Sequence, residues 1–243
     1  MGLVLASFLN SRLSMSHRFS IVVPVYNEAS FIPIALPALI AEAESLGQPY
    51  EILLMENGST DDTAAMARET AGDAPVSVIS LVTADYGAAM REGFLAADGD
   101  WVVNFDIDYY SSVFLGKVLE TEDADIIIGS KRDPDSVDKR PLLRRVATWV
   151  FNLLLRTILN SKVSDTHGMK AFRSDLVADL VPQVQSTQDL FDTELVIRAE
   201  RAGYRIAEVP VVVEEMRTAK SSLVKRVPRT VSGLFRIRKL LAG

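Results

Sequence analysis

The chain has 243 residues, 48% hydrophobic and 24% charged, an ordinary globular composition with room for one large domain or two small ones. It has no cysteine, which excludes disulfides, thiolate metal sites and cysteine nucleophiles. The net charge of −6 hides a division: residues 139–173 carry eight Lys/Arg against one acid, Asp165, and residues 217–243 carry eight more and no acid. Such segregation suits a surface that meets an anion, whether phosphate, membrane or nucleic acid.

Residues 1–14 show no convincing periodicity, no basic residue ahead of their apolar patch and no clear cleavage site, so they read as an extension rather than a signal peptide. Met15 is an alternative start. From there strands and helices alternate. Residues 19–25 read as a strand and 30–46 as a helix, capped by Ser30 and stopped by Gly47. Strand 51–55 leads to helix 60–71, whose first turn is acidic and suits the helix dipole. Strand 76–81, helix 87–97, strand 101–105, helix 112–120 and strand 124–129 follow. The strands are continuous Val/Ile/Leu runs, the signature of burial on both faces, and the spacing implies right-handed βαβ units.

The second half is less regular. Residues 140–160 predict a basic amphipathic helix, 165–173 a loop and short strand, and 190–202 a helix stopped by Gly203. Residues 204–213 read as a strand interrupted by Pro210, hence an edge strand. A basic helix over 227–241 ends the chain, with Pro228 near its first turn. The most apolar helical stretch, 146–159, contains Arg156 and falls short of the ~20 apolar residues of a membrane span. The expected division is an extension over 1–18, one α/β domain with a mostly parallel, helix-flanked sheet over 19–216, and a basic helical segment over 217–243.

Two acidic stretches carry the chemistry. Glu56-Asn57-Gly58-Ser59-Thr60-Asp61 and Asp106-Ile107-Asp108 each follow an apolar strand. Carboxylates at the carboxyl ends of neighbouring parallel strands share the crevice where open α/β sheets bind ligands. Asp106 and Asp108 point to opposite sides of an extended chain, but a sharp turn brings both to one cation. An oxygen-only site of this kind suits a hard divalent ion that also holds substrate phosphates. The combination points to an enzyme acting on a nucleotide diphosphate. The competing reading of the pair is a solvated acidic loop, and of Asp61 a helix cap.

Four segments in series extend this reading: Val23-Pro24-Val25-Tyr26-Asn27-Glu28, the loop from Glu56 to Thr63, Asp106-Ile107-Asp108, and residues 195–210. Together they resemble the family 2 glycosyltransferases, in particular the dolichyl-phosphate mannose synthase and polyprenyl-phosphate glycosyltransferase branch. The resemblance runs from about Phe19 to about Arg238 and implies a GT-A-like fold. It implies that Pro24, Tyr26 and Glu28 line the base and ribose pocket with Glu56 and Asn57, and that Asp106 and Asp108 hold Mg²⁺ or Mn²⁺ on the diphosphate. Relatives usually have two aspartates where this chain has Glu56 and Asn57; Asn57 can hydrogen-bond a base edge but supplies no charge. Lys131, Arg132, Arg144 and Arg145 match basic positions that bind an acceptor phosphate, a role suited to the planar guanidinium. Asp165 to Lys170, with His167 and Gly168, resembles the loop beside the sugar. Glu194 matches an acidic position, and Asp192 is the natural candidate if a general base is needed; both also read as helix N-terminal acids.

The resemblance implies an inverting transfer of a sugar from a GDP-mannose or UDP-glucose type donor to a polyprenyl (dolichyl-type) phosphate. It places the protein in the cytoplasm, with the inner face of the membrane as a peripheral contact through the basic amphipathic 227–241 segment. A helix packed on the domain with a basic outer face is the alternative for that segment. Three rival functions remain: a soluble family 2 enzyme acting on a hydroxyl, a nucleotidyltransferase, and a non-catalytic nucleotide-sugar-binding relative. The second normally shows a Gly-rich basic loop after the first strand, absent here. Nucleic acid ranks low, since no aromatic-basic recognition motif is present.

Overall fold

A computed structural model describes residues 17–121, 123–164, 166, 168–187, 190–213 and 223–241. Residues 1–16, Asp165, His167 and 214–222, on which several of the expectations above fall, lie outside the described residues. The first half runs β1 (Phe19–Val25), α1 (Ile32–Glu44), β2 (Tyr50–Glu56), α2 (Thr63–Ala71), β3 (Val76–Ser80), α3 (Tyr86–Ala96), β4 (Trp101–Asn104), α4 (Ser112–Glu120). The second runs β5 (Ile126–Ser130), β6 (Val137–Asp138), α5 (Leu142–Leu159), β7 (Lys170–Arg173), α6 (Ser174–Leu180), α7 (Phe191–Ala202), β8 (Ile206–Pro210), β9 (Val212–Val213), α8 (Leu223–Leu240).

One seven-stranded sheet has the order β3-β2-β1-β4-β7-β5-β8. β7 is antiparallel to both its neighbours, β4 and β5; the other pairings are parallel. β8 is an edge strand, where Pro210 withholds no ladder hydrogen bond from an outer neighbour. β6 and β9 form a separate two-stranded sheet.

The apolar runs are continuous because both faces of the sheet are covered. Ile21, Val23, Ile52, Leu54, Trp101 and Val103 enter one core cluster, while Val22, Leu53, Met55 and Val102 enter the other. A third cluster joins Leu155 and Leu159 of α5, Leu190, Ile197 of α7, and Leu234 and Ile237 of α8. The C-terminal helix therefore packs on the domain. It also leaves Val227 and Phe235 exposed, beside a larger apolar stripe on α5: Leu142, Leu143, Val146, Trp149, Val150 and Leu153.

Several local expectations are corrected. α1 starts at Ile32, with a proline in its first turn and no side-chain cap, so Ser30 does not cap it. α2 starts at Thr63, and its first turn holds no acid. The reason is that Asp61 stays in the loop, where its carboxylate accepts from the Thr63 amide at 3.1 Å and the Ala29 amide at 3.2 Å. α6 and β6 have no counterpart in the sequence reading, since a two-residue strand and a seven-residue helix are too short to show a period, and the single strand read over 204–213 divides after Pro210 into β8 and β9, which join different sheets.

Candidate active site

The carboxyl ends of β1, β2 and β4 open on one rim, because these strands are parallel neighbours in the order β2-β1-β4. Pro24 and Val25 end β1, and Tyr26 stands exposed just beyond. Asn27 takes a left-handed φ of 53°, which turns the chain toward the loop after β2. There its Oδ1 accepts from the Thr60 amide at 2.8 Å, and its own amide donates to Ser59 Oγ at 3.0 Å. The Glu28 amide donates to Thr63 Oγ1 at 2.8 Å. The two loops are thus laced together.

Glu56 and Asn57 are both buried within that lacing. Glu56 Oε1 accepts from the Ser59 amide and closes the turn. Asn57 Oδ1 accepts from the Asp85 amide at 2.7 Å, and Asp85 in turn caps α3 by accepting from the Ala88 amide at 3.1 Å. Gly58, between them, has φ of 66°, and a Cβ there would lie 2.8 Å from the Ala84 nitrogen. Only glycine fits without moving the backbone.

Beyond β4 the chain folds on itself. The Asp106 amide donates to the Tyr109 carbonyl at 3.2 Å, and the Tyr109 amide to the Asp106 carbonyl at 2.9 Å. This turn brings Asp106 and Asp108 close enough to feel each other's charge. The Asp106 carboxyl keeps contact with solvent, yet crowding by protein at the crevice floor, with Asp108 and Asp192 nearby, pushes its pKa up to about 6; Lys170 and Lys131 oppose the rise. Two carboxylates with a surplus of negative charge around them form a hard-oxygen donor set that fits Mg²⁺ or Mn²⁺ and leaves further ligand positions for a diphosphate.

The other wall comes from β5, β7 and α7. Lys131 follows β5 directly, and its Nζ lies 3.0 Å from where a Cβ on Gly168 would stand. Gly168 has φ of 114°. Arg132 is exposed on the same loop. Lys170, the first residue of β7, is 0% exposed and donates to the Gly168 carbonyl at 2.6 Å. It also forms an ion pair with Asp192 of α7 at 3.3 Å. Tyr86, the first residue of α3, donates its hydroxyl to the same Asp192 oxygen at 3.0 Å. The sequence reading names Lys170 only as the end of the loop beside the sugar, with no role of its own, and does not name Tyr86. A lysine at a strand start reads as a solvated end, and its burial becomes visible only when acids from distant segments surround it.

Two further predicted groups have other neighbours. Glu194 is fully buried and spends both oxygens on structure: Oε1 accepts from the Gln185 amide at 3.1 Å and Arg198 Nε at 2.8 Å, and Oε2 from the Ser186 amide at 2.6 Å. Arg144 and Arg145 sit in the first turn of α5, near the small β6–β9 sheet. There the Arg140 guanidinium, donating at 2.9 and 2.8 Å, holds the Asp138 carboxyl below the usual range, and Arg145 adds to the effect.

Among the described residues, one group of three ligand-type side chains gathers within 4.8 Å: His17, Glu51 and Asp98. It lies at the opposite, amino-terminal edge of the sheet, and its atoms are engaged within the fold, His17 with Asp98 at 2.6 Å and Glu51 with the Asp98 amide at 3.2 Å.

Comparison with known proteins agrees with this architecture. Residues 20–181 match the glycosyl transferase family 2 domain. Undecaprenyl-phosphate mannosyltransferase of Micrococcus luteus is 30% identical over 213 residues, covering 83% of this chain and 86% of that one. Glycosyltransferase AglD of Haloferax volcanii is 33% identical over 217 residues, 86% of this chain, but the chain spans only 35% of AglD's length. Dolichyl-phosphate beta-glucosyltransferase of Dictyostelium discoideum is 26% identical over 90% of this chain and 73% of its own. Among solved structures, glucosyl-3-phosphoglycerate synthase from Mycobacterium tuberculosis, in complex with Mn²⁺, UDP-glucose and phosphoglyceric acid, superposes with a TM-score of 0.69. It covers 92% of this chain and 80% of that one at 20% identity, a likeness of fold, here the GT-A fold.

Proposed function

Because the chain belongs to glycosyl transferase family 2, we propose that it is a metal-dependent, inverting glycosyltransferase that moves a sugar from a nucleotide-sugar to a polyprenyl phosphate. The observation that carries this reading is the turn that sets Asp106 and Asp108 at the end of β4, between the rim at β1–β2 and a lysine-lined wall at β5–β7. Tyr26, Pro24 and Glu28, with Glu56 and Asn57 shaping the floor, take the base and ribose. A Mg²⁺ or Mn²⁺ held by Asp106 and Asp108 would offset the charge that grows on the leaving diphosphate. Lys131, with Arg132 beside it, orients the acceptor phosphate. One phosphate oxygen attacks the anomeric carbon from the face opposite the diphosphate; the new C–O bond forms as the old one breaks, and the leaving oxygen keeps the electron pair.

The reading of the acceptor as a phosphate draws support from Asp192. A hydroxyl acceptor needs a base with an oxygen open to it. One oxygen of Asp192 is held by Lys170 and Tyr86, and the other is left for the donor sugar, so neither serves an acceptor hydroxyl as a base. A phosphate acceptor is already anionic and needs only alignment and charge stabilisation. The relatives named for undecaprenyl-phosphate and dolichyl-phosphate point the same way. No helix among the described residues is long and apolar enough to cross a membrane. The exposed stripe on α5, bordered by Lys139, Arg144, Arg145 and Arg156, supplies instead a face that lies on an anionic bilayer where the acceptor resides.

The test is a thermal-shift panel of GDP, UDP and their sugars, with and without Mn²⁺, followed by transfer to undecaprenyl phosphate. Bound ligands raise the melting temperature. The Asp106→Ala, Asp108→Ala double variant should lose the Mn²⁺-dependent part of the shift and slow transfer by roughly 10²-fold or more. Transfer at the parent rate by that variant refutes the reading.

A further inference from the structure

We infer that Lys170 is a positioning residue that sets Asp192 and Gly168 as the wall recognising the transferred sugar, a reading that rests on the function proposed above. A fully buried lysine is rare unless it is paired. Here one ammonium reaches two segments, the Gly168 carbonyl at 2.6 Å and Asp192 at 3.3 Å. Tyr86 adds a third segment through the same carboxylate oxygen at 3.0 Å. Register fixes the place of this knot: Lys170 lies opposite Asn104 on β4, two residues before Asp106, and opposite Ile128 on β5, three before Lys131.

The order of the sheet then assigns the ligand. The base rim lies over β1 and β2, and the carboxylate turn lies at the end of β4. A nucleotide-sugar is linear in its parts, with nucleoside, diphosphate and sugar in succession. With the diphosphate at Asp106 and Asp108, the sugar extends toward the next strand, β7, whose first residue is Lys170. Asp192 is 7% exposed, and its Oδ1 has no hydrogen-bond partner among the described residues. An unpaired buried carboxylate oxygen is costly, and a sugar hydroxyl donating to it removes that cost. The ligand class is therefore a hydroxylated hexose rather than a deoxygenated sugar on that face. Lys170 fixes the Asp192 carboxylate through its other oxygen, Oδ2, and does not itself touch the reacting atoms.

The experiment measures, with Mn²⁺ present, the dissociation constants of UDP and UDP-glucose, and of GDP and GDP-mannose, by calorimetry, in the parent and in Lys170→Met. The readout is the ratio of the diphosphate constant to the sugar-nucleotide constant. Lys170→Met should lower that ratio at least tenfold while the diphosphate constant stays within threefold. Tyr86→Phe, which removes one hydroxyl and leaves the ion pair, should lower it by a smaller factor and serves if Lys170→Met does not fold. An unchanged ratio in either folded variant, or equal weakening of both ligands, overturns the inference and leaves the proposed function standing. A parent that binds none of the four ligands overturns the function, and this inference falls with it.

Discussion

Asp106 illustrates how one side chain reports on the crevice. The unfolded chain holds this carboxyl near its ordinary 3.8, whereas crowding and neighbouring acids raise it to about 6 in the folded protein. The folded state therefore binds the proton more tightly, and its advantage, complete below about 3.8, is lost as pH rises toward 6. A divalent cation competes with that proton. The Mn²⁺-induced rise in melting temperature should be full at pH 7.5 and shrink steeply below about pH 6; a rise independent of pH between 5 and 7.5 argues against Asp106 as a ligand. Asp106 and Asp108 were legible in the sequence because a buried apolar strand ended on them. The direction of Glu194 was not, since its partners, the Gln185 and Ser186 amides and Arg198, are chosen by the fold of a loop.

At the scale of elements, the loop after β2 is held as a unit by Asn27, Ser59, Thr60 and Thr63, with Gly58 at its narrowest point. Gly58→Ala places a methyl group against the Ala84 backbone and forces a side chain into positive φ. The expected cost is ~2 kcal/mol of stability, seen in denaturant melts, with weaker nucleotide binding because the rim shifts. Strands β1 to β5 fall within two residues of their sequence reading, since their period and composition are local properties. The antiparallel sense of β7 is not local: it depends on where the chain stands after α5, and a four-residue apolar run reads the same in either direction. α5 was read as amphipathic, but which face stays open is decided by α8, whose Leu234 and Ile237 cover only one side.

Across the whole molecule, charge and apolar exposure coincide. The acidic crevice is built on the sheet, and the basic helices α5 and α8 pack together beside it, with Trp149 at 55% exposure. The chain has two tryptophans, and the other, Trp101, is buried. A blue shift of tryptophan emission on adding phosphatidylglycerol vesicles therefore reports on Trp149. The Leu142→Ser, Trp149→Ser double variant should cosediment with those vesicles at least fivefold less while melting at the parent temperature, because neither side chain enters a core cluster; undiminished cosedimentation removes α5 from the membrane. The wedge position of β7 has a temporal corollary. On the ribosome, β1 to β4 emerge first and can pair among themselves, but the outer side of β4 has no neighbour until residue 173 has been made. During that interval of synthesis the nascent half-sheet carries a bare hydrogen-bonding edge beside its acidic pair, open to pairing with another chain.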